Sequence, residues 1–200
     1  MQKTAKIAVL VSGGGTNLGA LIKAQGTVIK SGKITLVISN KEDAYALTRA
    51  KEAGIKTAVV LKKDYKDAFE DKLIETLKEE EIDIIVLAGF MSILSEKFTK
   101  TFANRIINVH PSLIPSFCGK GYYGLKVHEE ALKKGVKVTG ATVHFVNEIP
   151  DGGEIILQKA VKVLKKDTPE SLQKRVMSQA EWKILPLACQ QVCKQIIKNK

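Results

Sequence analysis

The 200-residue sequence predicts a doubly wound α/β fold, with a mostly parallel sheet, helices on both faces and an antiparallel C-terminal extension. The first observation is that continuous apolar, β-type runs alternate with segments of helical periodicity, which is typical of parallel strands joined by helices. The second is the turn at residues 148–153, which is too short to cross between parallel strands. Because no linker, repeat or low-complexity stretch interrupts the pattern, we expect a single domain over residues 1–200.

In the first half of the chain, strands and helices alternate strictly. The strands are expected to be buried because their residues are almost all apolar, and the helices are expected to cover them with one apolar face. Gly54 is expected to end the second helix. The predicted strands are residues 6–12, 34–39, 56–61 and 82–88, and the predicted helices are residues 17–30, 44–53 and 64–81.

The second half completes the sheet and ends in a helix. A long loop rich in glycine and aromatic residues is expected at residues 112–124. The last helix is expected to begin with Thr168 as its cap, Pro169 at the first helical position and Glu170 in the first turn. The predicted helices are residues 95–102 and 125–134, and the predicted strands are residues 105–109, 136–147 and 154–163.

The formal net charge of +11 does not by itself indicate a nucleic-acid partner. Most cations are lysines spread over helix faces and turns, with few arginines and no interleaved aromatic residues. We therefore expect a solvated basic surface, no nucleic-acid or membrane partner, and small-molecule substrates whose encounter rate a positive field increases.

Three cysteines without paired metal-ligand spacing, and no apolar run long enough to span a bilayer, indicate a soluble, intracellular protein, which we place in the cytoplasm. Cys189 and Cys193 lie one turn apart in a predicted helix and are interpreted as buried apolar groups, not as a metal site. No metal is expected, and the protein is expected to be a monomer or a homodimer.

The most informative segment is Asn108-Val109-His110-Pro111-Ser112. Residues two apart on a strand project from the same face, so Asn108 and His110 would point into one pocket. Pro111 ends the strand because it has no N–H. Ligands bind at the carboxyl ends of strands in open α/β sheets, so this pair is a candidate for carbonyl chemistry. A hydrogen-bonded strand end without chemistry remains the alternative.

A second candidate site lies between the first strand and the first helix, at Ser12-Gly13-Gly14-Gly15-Thr16-Asn17. Backbone N–H groups and the helix dipole at this position favour an anion such as phosphate. A dinucleotide site is disfavoured because the second strand ends in Ser39-Asn40-Lys41 and offers no acid for the ribose. A tight turn without a ligand is the alternative.

Together these segments resemble the folate-dependent phosphoribosylglycinamide formyltransferase family, over nearly the whole chain. The segments that carry the resemblance are Ser12–Asn17, Ser39–Lys41, Leu87–Leu94, Asn108–Pro115, Gly140–Val146 and Asp151–Gly153. The resemblance implies a Rossmann-like formyltransferase fold and transfer of a formyl group from 10-formyltetrahydrofolate to the amine of 5-phosphoribosylglycinamide (GAR). That reaction belongs to purine biosynthesis.

The resemblance also implies which residues bind the two substrates. Gly15, Thr16 and Asn17 would bind the GAR phosphate and Glu181 its ribose, although the spacing before Glu181 varies among relatives. Lys66 stands where the family often has an arginine that contacts folate. The remaining folate-binding residues implied are Met91, Ser92, Ile93, Leu94, Asn108, Asn147, Glu148, Ile149 and Pro150.

For catalysis, we expect Asn108 and a protonated His110 to stabilise negative charge on the formyl oxygen, with His110 as the general acid. Asp151 would favour the protonated imidazole by its charge, unless Asp151-Gly152-Gly153 is only a turn. His144 either orients the site or is satisfied within the sheet, and we favour the structural role. His128 is expected to be a surface group.

Three other functions remain open at this stage. A formyltetrahydrofolate hydrolase would use similar residues with water as the acceptor. A methionyl-tRNA formyltransferase would explain the basic charge but needs a further RNA-binding domain. A non-catalytic nucleotide-binding module would bind phosphate at the glycine loop without affinity for folate.

Overall fold

The computed structural model describes residues 4–200 and contains a seven-stranded sheet in the order β3-β2-β1-β4-β5-β6-β7. Strands β1 to β5 are parallel, whereas β6 is antiparallel to both β5 and β7. The predicted mostly parallel sheet with an antiparallel extension is therefore confirmed. The strands are β1 Ala5–Val11, β2 Gly32–Ser39, β3 Lys56–Val59, β4 Ile84–Leu87, β5 Ile106–His110, β6 Val138–Phe145 and β7 Ile155–Lys162.

Helices cover both faces of this sheet. One apolar cluster packs α1 and α8 against one face, and a second packs α4 and α5 against the other. The helices are α1 Thr16–Ala24, α2 Tyr45–Glu52, α3 Lys62–Tyr65, α4 Phe69–Glu79, α5 Glu96–Thr101, α6 Leu125–Lys134, α7 Pro169–Val176 and α8 Trp182–Lys198. Within residues 4–200, no helix is long and apolar enough to cross a membrane.

Two predicted helices were wrong in extent. The helix expected over residues 17–30 ends at Ala24, because Gly26 takes a left-handed conformation (φ 79°) and the chain turns there. The helix expected over residues 64–81 is interrupted by a 3₁₀ turn at Lys66–Ala68, where Lys66 itself has φ 47°. Positive φ at a lysine is strained, and it separates α3 from α4.

The last helical region begins as predicted. Thr168 caps α7, with Pro169 at the first helical position, and the Thr168 and Ser171 side chains bond each other's backbone N–H groups. A π-helical turn at Met177–Glu181 then joins α7 to α8. Cys189 and Cys193 in α8 are fully buried, in agreement with their interpretation as core residues.

Candidate active site

The sheet order reverses between β1 and β4, and the carboxyl ends of these strands and of β5 lie at one edge. A reversal of this kind leaves a crevice outside the strand ends. A cavity of about 340 Å³, hereafter the main cavity, occupies this position. Its walls include Thr16, Asn17, Met91, Ile93, Asn108, His110, Tyr122, His128, Pro150, Asp151 and Glu181. The structure therefore brings together residues from both candidate sites.

Asn108 and His110 occupy alternate positions on β5, and both side chains line the main cavity. His110 is 4% exposed. Its Nδ1 lies 3.4 Å from Asp151 Oδ2, and its Nε2 lies 2.8 Å from the Phe117 carbonyl oxygen. Because a carbonyl can only accept, Nε2 is the protonated ring nitrogen in this contact. In this structure the Nε2–H of His110 is therefore bonded to the Phe117 carbonyl.

Asp151 lies in the turn between β6 and β7, with φ 56°. The backbone is strained there but is held by close packing, because a Cβ at Gly153 would lie 1.8 Å from the Phe145 carbonyl oxygen. The Asp151 carboxylate also accepts a hydrogen bond from Gly119 N–H at 2.8 Å. Asp151-Gly152-Gly153 therefore forms a turn and also places the Asp151 carboxylate beside His110.

The pKa values of this pair are set by opposing effects. Burial lowers the pKa of His110, and the opposing charge of Asp151 and the Phe117 carbonyl only partly offset it. Burial would raise the pKa of Asp151, but His144, the charge of His110 and the Gly119 N–H together bring it below its usual range. Asp151 therefore acts in the predicted direction on the imidazole, and burial acts in the opposite direction with the larger effect.

His144 is part of this cluster and not only of the sheet. Its Nδ1 lies 2.7 Å from the Phe145 carbonyl oxygen, so Nδ1 carries the proton. Its Nε2 lies 3.3 Å from Asn108 Nδ2 and 3.5 Å from Asp151 Oδ1, so it can accept from the amide, or donate to the carboxylate when the ring is charged. Of the two roles left open by the sequence, the geometry favours orientation of Asn108.

His128 was wrongly predicted to be a surface group. It lies on the buried face of α6, is 0% exposed and lines the main cavity. Neither ring nitrogen has a hydrogen-bond partner among the described residues, and burial lowers its pKa to about 4. Unpartnered buried nitrogens at a cavity wall indicate a place where a ligand or water binds. The sequence signal for this burial was the position of His128 directly after Val127 on the apolar face of α6.

The glycine loop, residues 13–15, leads into α1 with Gly15 at the N-cap in a left-handed conformation (φ 67°). No side chain of residues 4–200 caps this end, so the first N–H groups of α1 are available to an anion. Asn17 Nδ2 donates to Glu181 Oε2 at 2.7 Å, and Asn17 Oδ1 is buried without a partner within residues 4–200. Burial raises the pKa of Glu181 to about 7, against the hydrogen bond from Asn17.

A second cavity, of about 140 Å³, adjoins the main cavity and is called here the side pocket. It is lined by Ser92, Ile93, Leu94, Asn108, Asn147, Glu148, Ile149, Pro150 and Asp151. Met91 lies in the main cavity instead. Lys66 lines a separate surface depression together with Met91, Ser92 and Ile93. Among the residues implied to bind folate, Lys66 therefore stands apart from the side pocket.

Two polar side chains that the sequence did not single out individually support the segment at Met91–Leu94. Ser12 Oγ accepts from Met91 N–H at 2.8 Å, and Asn40 Nδ2 donates to Ser92 Oγ at 2.9 Å. These contacts explain why the ends of β1 and β2 carry Ser12 and Asn40. They hold the segment that follows β4 against the ends of β1 and β2.

The chain belongs to the formyl transferase family, whose model matches residues 5–189. It is 46% identical to phosphoribosylglycinamide formyltransferase of Haemophilus influenzae over 184 residues, which are 91% of this chain and 84% of that protein. It is 48% identical to the human trifunctional purine biosynthetic protein adenosine-3 over 193 residues, or 96% of this chain, but spans only 18% of that protein.

Solved structures show the same relationship. Glycinamide ribonucleotide transformylase 1 from Symbiobacterium toebii superposes with a TM-score of 0.89 at 40% identity, covering 96% of this chain and 89% of that one. The phosphoribosylglycinamide formyltransferase of Brucella melitensis gives a TM-score of 0.87 at 41% identity, with 96% of each chain covered. The predicted fold and family are confirmed.

Proposed function

We propose that this protein transfers the formyl group of 10-formyltetrahydrofolate to the amine of GAR, which gives formyl-GAR and tetrahydrofolate. The observation that carries this proposal is the arrangement of two adjoining cavities with Asn108 and Asp151 in the wall they share. A transfer between two bound substrates needs two subsites that meet at the reacting groups. The names of the relatives agree with this reaction.

The ribonucleotide fits the side of the main cavity that α1 forms. Gly15, Thr16 and Asn17 present backbone N–H groups and the positive end of a helix dipole to the phosphate. Glu181 lies beside Asn17 and would accept hydrogen bonds from ribose hydroxyl groups. Such bonds are stronger to the ionised carboxylate than to the acid, so ribonucleotide binding would lower the pKa of Glu181.

The pterin ring of the folate would occupy the side pocket. The Ser92–Leu94 segment and the Asn147–Pro150 segment form its opposite walls, and the backbone of both is within reach of a flat heterocycle. Met91 would contact the folate where the two cavities meet. Lys66, in the neighbouring depression, would attract the carboxylates at the far end of the folate as a point charge.

The chemistry follows from the residues between the two subsites. Attack of the GAR amine on the formyl carbon places negative charge on the formyl oxygen, and Asn108 Nδ2 can donate a second hydrogen there while it bonds His144. The bond between the formyl carbon and the folate nitrogen then breaks, the attacking nitrogen loses one proton and the folate nitrogen gains one, and His110 would act as the general acid toward the folate nitrogen. For this, the Phe117 carbonyl must release Nε2, while Asp151 remains beside Nδ1 and stabilises the charged imidazole.

The experiment that tests the proposal combines the purified protein with 10-formyltetrahydrofolate, with and without GAR. We expect formyl-GAR and tetrahydrofolate in equal amounts, and no deformylation without GAR. Deformylation that does not require GAR would indicate a hydrolase. Binding of GAR without any affinity for folate would indicate a non-catalytic module.

A further inference from the structure

Two of the three carbonyl groups of the glycine loop are bonded to α2. The Gly13 carbonyl accepts from Ala46 N–H at 3.0 Å, and the Gly14 carbonyl accepts from Arg49 Nε at 2.9 Å. Gly15 packs directly on this helix, because a Cβ added there would lie 2.6 Å from Ala46 Cβ. Three consecutive residues of the loop are thus positioned by one neighbouring helix.

These contacts determine where the N–H groups of the loop point. In a trans peptide, the carbonyl of one residue and the N–H of the next lie in one plane and point in opposite directions. Because the Gly13 and Gly14 carbonyls face α2, the N–H groups of Gly14 and Gly15 face away from it. A Cβ at Gly13 or Gly14 would meet no atom within 4 Å, so this part of the loop is open to a ligand.

Arg49 is itself held in place. Its guanidinium carbon lies 4.9 Å from the centre of the Tyr45 ring, one turn earlier on α2. Its Nη1 lies beside Gly19 of α1, 3.7 Å from the position that a Cβ would take there. Arg49 therefore links α2, the glycine loop and the first turns of α1, and it places a positive charge close to the helix end that would bind phosphate.

We propose that Arg49 is a positioning residue for the ribonucleotide phosphate: its Nε fixes the Gly14 peptide so that the loop N–H groups receive the phosphate. This inference rests on the function proposed above. Because Arg49 bonds the loop and is not among the residues that line the main cavity, its role depends on the directed Nε–H of a planar guanidinium. A lysine has the charge but not this group.

The test compares Arg49→Met and Arg49→Lys with Lys51→Met as a matched control for the loss of one charge from the same helix. For each variant, kcat and KM are measured with GAR, with unphosphorylated glycinamide riboside and with the formyl folate. We expect Arg49→Met to raise the KM for GAR by about tenfold, the equivalent of one charge-assisted hydrogen bond. Its kcat, its KM for folate and its kcat/KM for the riboside should stay within about twofold of wild type.

Arg49→Lys should show the same increase in the KM for GAR as Arg49→Met, and Lys51→Met should have the KM of the wild type. A normal KM for GAR in Arg49→Met would overturn the proposal, as would full recovery in Arg49→Lys, which would leave only a role for charge. An equal loss for the riboside would show general damage to the loop and not positioning of phosphate. A wild-type protein that does not formylate GAR would refute the proposed function itself. This outcome is distinct from a failure of the Arg49 proposal, in which the wild type is active and the variants do not behave as expected.

Discussion

Glu181 should make the stability of this protein fall as pH rises, which is opposite to the usual behaviour of a carboxylate. Its side chain is 6% exposed, and burial raises its pKa from 4.5 to about 7. Between these two values the folded protein retains a proton that the unfolded chain has lost. The free energy of unfolding therefore falls as pH rises through this range, and this contribution is fully present only below about pH 4.5.

The size of the effect follows from the two pKa values. The two pKa values differ by about 2.5, and at about 1.4 kcal/mol for each pKa unit this difference corresponds to roughly 3 kcal/mol. The variant Glu181→Gln keeps an oxygen that can accept from Asn17 but does not titrate. Unfolding by urea should be followed for both proteins between pH 4.5 and 8.5.

The difference between the two proteins isolates Glu181, because His128 and Asp151 titrate in both. Relative to Glu181→Gln, the wild type should lose roughly 3 kcal/mol of stability from pH 4.5 to pH 8, mostly below pH 7. A difference that stays constant within about 0.5 kcal/mol over this range would refute the reasoning. So would a wild type that gains stability relative to the variant as pH rises.

The three residues between the subsites give further predictions. His110→Ala should lower kcat by about 10²- to 10⁴-fold and leave GAR binding measurable by calorimetry, and near-normal turnover would remove His110 as the acid. Asp151→Asn should lower kcat by a similar factor and lower the pKa of His110 still further, because the charge that opposes burial is removed. An NMR titration of the imidazole would show this, and an upward movement or a mild kinetic effect would leave Asp151 as a turn residue. Asn108→Ala should lower kcat more than it raises the KM for either substrate, whereas the reverse pattern would make Asn108 a binder of the ground state.

The architecture was predictable because buried parallel strands leave an unusually clear sequence pattern. The apolar runs of β1 and β4 have no polar alternation, and the turn before Gly153 allows only an antiparallel return. Helix ends were less predictable. Gly26 is the one strong helix breaker in residues 25–30, where α1 was expected to continue. The interruption between α3 and α4 depends on the positive φ of Lys66, which the sequence does not reveal.

The site was predictable in part. The two-residue spacing on β5 placed Asn108 and His110 in one cavity, because strand geometry is local. Partners from distant segments could not be found in this way. The contact of Arg49 with the Gly14 carbonyl and the bond between Ser12 and Met91 depend on the packing of whole elements. The burial that lowers the pKa of His110 is likewise a property of the assembled site.

The most direct test of the central claim is the GAR dependence of folate deformylation. With both substrates present, each mole of tetrahydrofolate formed should be accompanied by one mole of formyl-GAR, and omission of GAR should stop the reaction. Tetrahydrofolate that forms at the same rate without GAR, or that forms without formyl-GAR, would contradict transfer between two subsites that meet at Asn108, His110 and Asp151.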